Sequence, residues 1–214
     1  MTTSRDDVLA QIRDAIGAGP ASDPQAEYAA IARGYLRTPR FTREERLRLF
    51  ASRLEDYDCD VFTAKADTVA QTIASVLATR GRRRLVAPRE FPSDCLPSDL
   101  AVTHGDQLAA LEIETFEGVL TSCAAAIAFT GSIVLTHTGA EGRRVLTLLP
   151  DYHLCVVPED RIVDSLPEAL TLIRNAEPSL ITTISVPSAT ADIEMTRIRG
   201  VHGPRTLDVV IIEN

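Results

Sequence analysis

The chain has 214 residues, of which 45% are hydrophobic and 24% charged, a composition typical of a globular protein with one large domain or two small ones. No run approaches the roughly 18 consecutive apolar residues that a membrane span needs. The first residues carry no basic segment followed by an apolar one, so no secretory signal is predicted either. Thirty acidic against 22 basic residues give a net charge of −8, which argues against nucleic acid as a partner. We therefore expect a cytoplasmic protein.

The four cysteines are dispersed along the chain, and no two of them form a C-x-x-C pair. Iron–sulfur and zinc sites take clustered thiolates, because a short loop must place two ligands on one metal. We therefore expect no metal and no other cofactor on this chain, and we expect its thiols to be reduced and buried. Any redox metal in its pathway would belong to another protein. The cysteines are Cys59, Cys95, Cys123 and Cys155.

Residues 1–40 are predicted to be an N-terminal helical arm and a linker. A helix over Asp6–Ala18, with Ser4 as its N-cap, places its apolar residues on one face. The following segment, Gly17–Pro39, is rich in Ala, Gly and Pro and has poor periodicity, which favours a linker that docks on the main body. The apolar residues of the helix are Val8, Leu9, Ile12 and Ile16.

Residues 41–214 are predicted to form one α/β domain. The capping box Thr42–Glu45 opens a helix, and a short strand follows at Asp60–Ala64. Asp67 is then expected to cap a second helix, which ends at Gly81 because glycine readily adopts the left-handed conformation found after a helix.

Downstream, short apolar strands alternate with helices. Several of these strands lack strict alternation of apolar and polar residues, which is typical of strands covered on both faces. One intervening helix is expected at Ser165–Asn175. This order predicts a layered α/β fold with a largely parallel central sheet flanked by helices. The strands are expected at Leu85–Ala87, Ala101–Thr103, Ile133–Thr136, Leu154–Val157, Leu180–Ser185 and Leu207–Ile212.

Two loops in the middle of the chain are candidate anion sites, because open α/β sheets bind ligands near the carboxyl ends of their strands. Gly131 and Ser132 lie in the first loop, where a glycine beside hydroxyls permits close approach of an anion or simply makes a tight turn. The second loop, His137–Arg144, has two glycines and brings Arg143 and Arg144 to a carboxylate or phosphate, or is a solvated connection. Neither loop matches a Walker or a dinucleotide-binding glycine motif.

Two C-terminal segments, Pro187–Glu194 and Gly200–Arg205, hold the densest group of polar residues. His202 and Asp192 are the candidate proton carriers, and Arg205 is placed to bind a carboxylate. In the alternative interpretation, these side chains cap a helix and satisfy a bend. The remaining candidate ligand-binding residues of this region are Ser188, Thr190 and Glu194. Two other histidines, His104 and His153, are assigned structural roles.

Four stretches resemble the motifs of one family. The run Ala126–Leu135, AIAFTGSIVL, resembles the AIAETGTIVL signature of the LUD domain. Residues Glu141–Val157 contain the GRR and LLPDYHLCVV stretches that are similar to its GR and LLP-x-x-H-hydrophobic-VV motifs. Pro187–Glu194 and Gly200–Arg205 resemble its C-terminal pair, GPS-x-TADIE and GVHGPR. The resemblance covers about residues 60–214 and is to the lactate utilization protein C type.

The resemblance implies a fold like that of the ribose-phosphate isomerase, CoA-transferase and formyltetrahydrofolate cyclo-ligase group. It also implies membership of a three-protein system that oxidises L-lactate to pyruvate, whose sibling proteins carry the iron–sulfur clusters. Two positions depart from the family pattern. Phe129 stands where the family usually has an acid, and Val186 replaces the glycine of GPS, which removes a permissive backbone conformation.

The leading hypothesis is a non-redox subunit of this lactate-oxidising system that binds a small carboxylate or a partner surface, with iron–sulfur proteins as its partners. One alternative is a stand-alone CoA- or nucleotide-dependent transferase or ligase. Such an enzyme needs a catalytic carboxylate near a phosphate-binding loop, and Phe129 removes the nominated acid. The other alternative is a non-catalytic scaffold. The sequence permits a homo-oligomer without requiring one.

Overall fold

A computed structural model of the protein describes residues 4–17, 23–34, 40–174, 180–187, 189–190, 198–199 and 203–213. The chain divides into two units, Met1–Tyr35 and Leu36–Asn214. Within the described residues, every helix is too short or too polar to cross a bilayer.

The first unit contains two helices, α1 (Ser4–Ile16) and α2 (Pro24–Ala30). The predicted first helix is therefore confirmed, although it starts two residues earlier and includes Ser4. The helix α2 lies in the segment that was expected to be an arm or linker, and the sequence did not predict this helix. Its signal is in its first residues, where Asp23 accepts a hydrogen bond from the Gln25 N–H at 3.0 Å and a proline occupies the first turn.

The second unit contains four helices among its described residues: α3 (Arg43–Glu55), α4 (Val69–Arg80), α5 (Ala110–Ile113) and α6 (Leu166–Ile173). The capping box that opens α3 is confirmed, because the Thr42 N–H donates to Glu45 Oε2 at 2.9 Å and the Glu45 N–H donates to Thr42 Oγ1. The predicted cap of α4 is wrong, since Thr68 rather than Asp67 precedes its first turn. This helix ends at Gly81 as predicted, with φ of 65°.

The central sheet has six parallel strands in the order β1-β12-β7-β4-β2-β3. This confirms the predicted fold class. Each predicted strand that belongs to this sheet starts and ends within two residues of its expected bounds. The sequence did not predict β4, whose residues Gly-Val-Leu-Thr form a short run without turn signals on both sides. The strands are β1 (Asp60–Lys65), β2 (Leu85–Ala87), β3 (Val102–His104), β4 (Gly118–Thr121), β7 (Tyr152–Pro158) and β12 (Thr206–Glu213).

A second sheet of four strands, in the order β8-β5-β6-β9, was not predicted. Its β6 pairs antiparallel with both β5 and β9, whereas β5 and β8 are parallel. The predicted strands Ile133–Thr136 and Leu180–Ser185 belong here and not to the parallel sheet. The strands are β5 (Ala125–Ile127), β6 (Ser132–Leu135), β8 (Ile162–Val163) and β9 (Thr182–Ile184).

The two sheets and the helices pack as layers. One face of the parallel sheet buries Val210 against Ile73 of α4, and the other buries Val209 in a cluster with Phe50 of α3 and Ile133 of the second sheet. The outer face of the second sheet packs against Ile173 of α6. This layering explains why the strands of the central sheet are apolar on both sides.

A short hairpin follows β9. Strand β10 (Ala189–Thr190) pairs antiparallel with β11 (Ile198–Arg199). The alternative interpretation in which Ser188 and Thr190 cap a helix is therefore wrong for Thr190, which is part of a strand.

Candidate functional site

A cavity of about 350 Å³ lies between the second sheet and the amino ends of β7 and β12, two inner strands of the parallel sheet. Thr182–Pro187, which comprise β9 and the three residues after it, form one wall. His153 and Leu207, each the second residue of its strand, form the opposite wall together with Gly203 and Pro204. Arg144, Thr147 and Leu148 complete the lining.

The cavity lies beside the amino ends of β7 and β12, not at the carboxyl ends where the sequence argument expected a ligand. His153 and Leu207 pair with each other in register at the start of these strands. The strand-end rule applies to sheets covered by helices on both faces. Here the second sheet covers one face and supplies a wall of its own, which the sequence did not reveal.

Two side chains, those of Arg144 and His137, contact the hydroxyl of Thr182 at the cavity wall. Arg144 Nη1 donates to Thr182 Oγ1 at 2.9 Å, and His137 Nε2 lies 2.7 Å from the same oxygen. Arg144 and Thr182 line the cavity, while His137 lies behind Thr182. Among the described residues, no carboxylate forms an ion pair with Arg144. Its guanidinium therefore retains N–H groups that can bind an anion.

His137 is held in an uncommon backbone conformation, with φ of 61°. Its N–H donates to Glu141 Oε2 at 3.1 Å, and its ring atom Nδ1 is buried without a hydrogen-bond partner of good geometry among the described residues. Burial and the nearby charge of Arg144 lower the pKa of the imidazole, and a backbone interaction with Gly142 only partly offsets them. His137 is therefore neutral at pH 7.

Glu141 fixes the turn that presents these residues. Its buried carboxylate accepts hydrogen bonds from the N–H and the hydroxyl of Thr136 and from the N–H of His137. Burial raises the pKa of this carboxyl, and the hydrogen bonds from Thr136 and His137 partly oppose that rise. The carboxylate replaces backbone partners that this tight turn lacks, and so positions His137 against Thr182.

His153 lines the cavity as a neutral, buried imidazole. Burial lowers its pKa to about 4, and its Nε2 lies 2.7 Å from Thr121 Oγ1. The sequence assigned this histidine a structural role. Its place in β7 and its bond to Thr121 are consistent with that role, and its position in the wall adds a polar contact for a ligand.

The first predicted loop reaches the cavity indirectly. Ser132 Oγ lies 2.7 Å from both Thr130 Oγ1 and Ser185 Oγ, and only Ser185 is part of the wall. Gly131 has a φ of 60°, and a Cβ there would lie 2.6 Å from Cβ of Arg53. The geometry thus places Ser132 one hydrogen bond behind the cavity and gives Gly131 a role in the turn.

Of the three arginines predicted to contact an anion, Arg144 is the one that lines the cavity. Arg143 Nη2 instead donates to the carbonyl oxygens of Gly105 and Leu108, at 2.7 and 2.6 Å. Arg205 is exposed and pairs with Asp151 at 3.3 Å, directly after the wall residue Pro204.

Several predicted site residues lie outside the described part of the chain. For Thr190 only the strand is described. The parts of the two C-terminal segments that the structure does describe come together, since Pro187, Gly203 and Pro204 line one cavity. The roles assigned to the remaining residues stay predictions: Ser188, Asp192, Glu194 and His202.

Sequence reasoning missed the two hydroxyls that define the wall, Thr182 and Ser185, and gave His137 no separate role. One signal for them exists in the sequence, because polar residues interrupt the predicted strand Leu180–Ser185 immediately before Pro187. The pairing of His137 with Thr182 joins residues 45 positions apart, which no local pattern indicates.

The four cysteines are all buried, and none of them forms a disulfide bond. Within the ranges that the structure describes, no group of three or more His, Cys, Asp or Glu side chains is arranged to hold a metal ion. The absence of a cofactor from this chain stays a prediction.

Comparisons with known proteins agree with the motifs. The model of the LUD domain matches residues 107–212. The chain is 38% identical over 176 residues to lactate utilization protein C of Deinococcus radiodurans, an alignment that spans 80% of this chain and 81% of that protein. It is 30% identical over 172 residues to lactate utilization protein C of Halalkalibacterium halodurans, which spans 72% and 74% of the two chains.

A solved structure shares the architecture as well. The crystal structure of a DUF162 family protein from Deinococcus radiodurans matches with a TM-score of 0.71 and 33% identity, and covers 81% of this chain and 100% of that chain. Sequence motifs, overall identity and fold therefore point to the same relatives. The chain belongs to the LUD domain family and is of the lactate utilization protein C type.

Proposed function

We propose that this protein acts in lactate utilization as a component without redox chemistry of its own, and that its cavity binds a small carboxylate. The observation that carries the proposal is the position of Arg144 on the cavity wall, with its guanidinium held by Thr182. An arginine fixed in this way presents N–H donors in the geometry that a carboxylate accepts. The names of the relatives from Deinococcus and Halalkalibacterium supply the pathway.

The size and lining of the cavity support a small ligand. A volume of about 350 Å³ lies at the lower end of the range of small-molecule sites. Leu148, Ile184 and Leu207 supply an apolar surface suited to a methyl group. Because His153 is neutral, Arg144 is the cation among the described lining residues. The net charge of −8 repels anions at long range, so a local cation is needed to bind one.

The absence of redox chemistry is proposed from the cysteines. They are separated by 28 to 36 residues in the sequence, and although Cys123 and Cys155 interact, the described residues hold no group of three or more His, Cys, Asp or Glu side chains that could bind a metal ion. We propose that iron–sulfur partner proteins carry the electrons taken from L-lactate. Dispersed free thiols also fit a cytoplasmic location.

The test of carboxylate binding is a calorimetric titration of the full chain with L-lactate, pyruvate, ATP and coenzyme A. We expect heat of binding with at least one of the two carboxylates, and we expect Arg144→Gln to weaken that binding roughly tenfold or more, the loss expected for a charged hydrogen bond. The matched control is Arg48→Gln, because Arg48 is 76% exposed on α3 and pairs with Glu44. Its affinity should equal that of the native chain.

Two results would contradict this part of the proposal. One is the absence of binding for both carboxylates at millimolar concentration. The other is an Arg144→Gln variant that binds as tightly as the control. Binding of ATP or coenzyme A alone would favour the alternative of a transferase or ligase.

The partnership is tested separately by purifying the tagged native chain from its own cells under anaerobic conditions. We expect the recovered complex to contain iron and acid-labile sulfide. A preparation without either, in cells grown on lactate, would contradict the proposed partners.

A further inference from the structure

The cavity beside Arg144 is larger than L-lactate. Its volume of about 350 Å³ gives room for roughly ten to twelve non-hydrogen atoms, if each takes the ~30 Å³ that a water molecule occupies in the liquid. L-lactate carries only a methyl group beyond the carbon that bears its hydroxyl, so it fills roughly half of this space. A lactate ion held by Arg144 would therefore leave part of the wall uncovered.

The part of the wall beyond Arg144 and Thr182 is mainly apolar. Thr182 is the first residue of β9, and Ile184, two residues further along the same strand, lies roughly 7 Å away. The side chain of Ile184 packs against the core cluster that contains Leu207. The cavity thus has a polar end and an apolar side. The apolar lining residues are Leu148, Ile184, Val186, Pro187, Pro204 and Leu207.

Three further polar side chains of the wall already bond within the protein. Thr147 Oγ1 donates to the main-chain carbonyl three residues earlier at 3.1 Å. Ser185 Oγ lies 2.7 Å from Ser132 Oγ, and His153 Nε2 lies 2.7 Å from Thr121 Oγ1. Because these groups have protein partners, an apolar part of a ligand can lie beside them without leaving them unsatisfied.

We propose that the cavity binds monocarboxylates with an apolar chain of several carbons more tightly than L-lactate, with the carboxylate on Arg144 and the chain along Ile184 and Leu148. This inference rests on the proposed function, in which Arg144 binds the carboxylate. Each methylene that covers the apolar wall is removed from water, and the affinity rises with the apolar area buried. Ile184 and Leu148 are then the residues that determine specificity for chain length.

The charges of the lining exclude dicarboxylates from this class. Arg144 is the only arginine or lysine among the described lining residues. A second carboxylate at the far end of the ligand chain would lie against apolar side chains without a counter-charge, which costs free energy. A dicarboxylic acid should therefore gain nothing from its greater length.

The experiment is a calorimetric titration of the full chain at pH 7 with L-lactate, L-2-hydroxybutanoate and L-2-hydroxyhexanoate, which differ only in the length of the apolar chain. We expect the affinity to rise roughly three- to fourfold with each added methylene, so that 2-hydroxyhexanoate binds roughly 30-fold or more tightly than lactate. L-2-hydroxyglutarate, whose chain ends in a second carboxylate, should bind no more tightly than lactate.

Two variants test where the chain lies. Ile184→Thr keeps a β-branched residue in the strand, and Leu148 is 38% exposed, so Leu148→Thr is a second variant with little effect on folding. Each should reduce the advantage of 2-hydroxyhexanoate over lactate by about threefold or more. The matched control is Ile181→Thr, because Ile181 is 41% exposed and is not part of the lining. It should keep the native advantage.

The outcomes separate this inference from the proposed function. Arg144→Gln should weaken the binding of all three acids by the same factor and leave their ratios unchanged. If the acids bind through Arg144 with equal affinity, or if 2-hydroxyglutarate binds as tightly as 2-hydroxyhexanoate, the chain-length proposal is overturned and carboxylate binding stands. It is also overturned if both wall variants keep the native ratios. If none of the acids binds the native chain, both proposals fail.

Discussion

Two polar clusters, one buried in the parallel sheet and one at the cavity wall, use similar residues for different purposes. In the sheet, the carboxylate of Asp208 is fully buried and accepts two hydrogen bonds from Arg80, at 2.8 and 2.6 Å, and one from the Tyr152 hydroxyl at 2.8 Å. At the cavity, Arg144 and His137 both contact the hydroxyl of Thr182, and no other described side chain forms a hydrogen bond with it.

The comparison indicates that some polar groups of this fold contribute to stability and others to ligand binding. The Asp208 cluster satisfies its members. Hydrogen bonding to Asp208 raises the pKa of Arg80, and burial together with the nearby Asp208 charge raises the pKa of Tyr152, so Arg80 stays charged and Tyr152 neutral near pH 7. Among the described residues, Arg144 of the cavity cluster has no carboxylate partner, so its guanidinium keeps N–H groups that can bind a ligand. A substitution in the first cluster should therefore affect folding, and one in the second should affect binding.

The largest effect is expected for Asp208→Asn. The substitution leaves Arg80 without its buried counter-charge, which costs about 3–5 kcal/mol when one member of such a pair is removed. Urea unfolding measures the loss in the free energy of unfolding. The matched control is Asp60→Asn, because Asp60 also pairs with Arg80 but is 62% exposed. It should cost less than about 1 kcal/mol. Equal losses in the two variants would contradict the account of this cluster.

The next largest effect is expected in the pH dependence of stability, through His153. Burial lowers the pKa of this histidine to about 4 in the folded chain, whereas the unfolded chain titrates near its ordinary value of 6.5. Between these values the unfolded state binds the proton more strongly, so stability is complete above about pH 6.5 and is lost as the pH falls towards 4. The total loss from this group is up to about 3 kcal/mol.

Urea unfolding of native protein and of His153→Gln at several pH values checks this. The native chain should lose stability more steeply than the variant between pH 6.5 and 4.5. The comparison removes the contribution of other groups, which titrate in both proteins. Parallel curves would show that burial of this imidazole does not couple to folding.

The smallest effect is expected for Arg143, in a comparison with the adjacent Arg144. Arg143 donates to two carbonyl oxygens, so Arg143→Gln should lower the free energy of unfolding by about 1 kcal/mol, the net value of a hydrogen bond, and leave carboxylate affinity unchanged. Arg144→Gln should weaken carboxylate binding and leave the free energy of unfolding within about 0.5 kcal/mol of that of the native chain. Thermal unfolding and calorimetry on both variants test this. A loss of affinity in Arg143→Gln would contradict the assignment.

The sequence predicted the parallel sheet well because its strands are buried on both faces and stand out as apolar runs. The segments around Val209 and Val156 are examples, and they form the neighbouring strands β12 and β7. The second sheet was missed because its strands are short and one of them, Ala125–Ile127, consists mainly of small residues with little strand preference.

The candidate site was predicted less completely, for a physical reason. Family motifs indicated Arg144 and the two C-terminal segments. Pro187, Gly203 and Pro204 of these segments line the cavity. The partner of Arg144, Thr182, comes from a strand of the sheet that the sequence did not reveal. Local patterns report which face of an element is apolar, whereas the meeting of a guanidinium, a hydroxyl and an imidazole depends on how two sheets pack.

The most direct test of the central claim is a crystal structure of the protein soaked with L-lactate at saturating concentration. The account predicts electron density for the ligand in the cavity, with its carboxylate within about 3 Å of the Arg144 guanidinium. A ligand bound elsewhere on the chain, or an empty cavity when calorimetry shows binding, would contradict it.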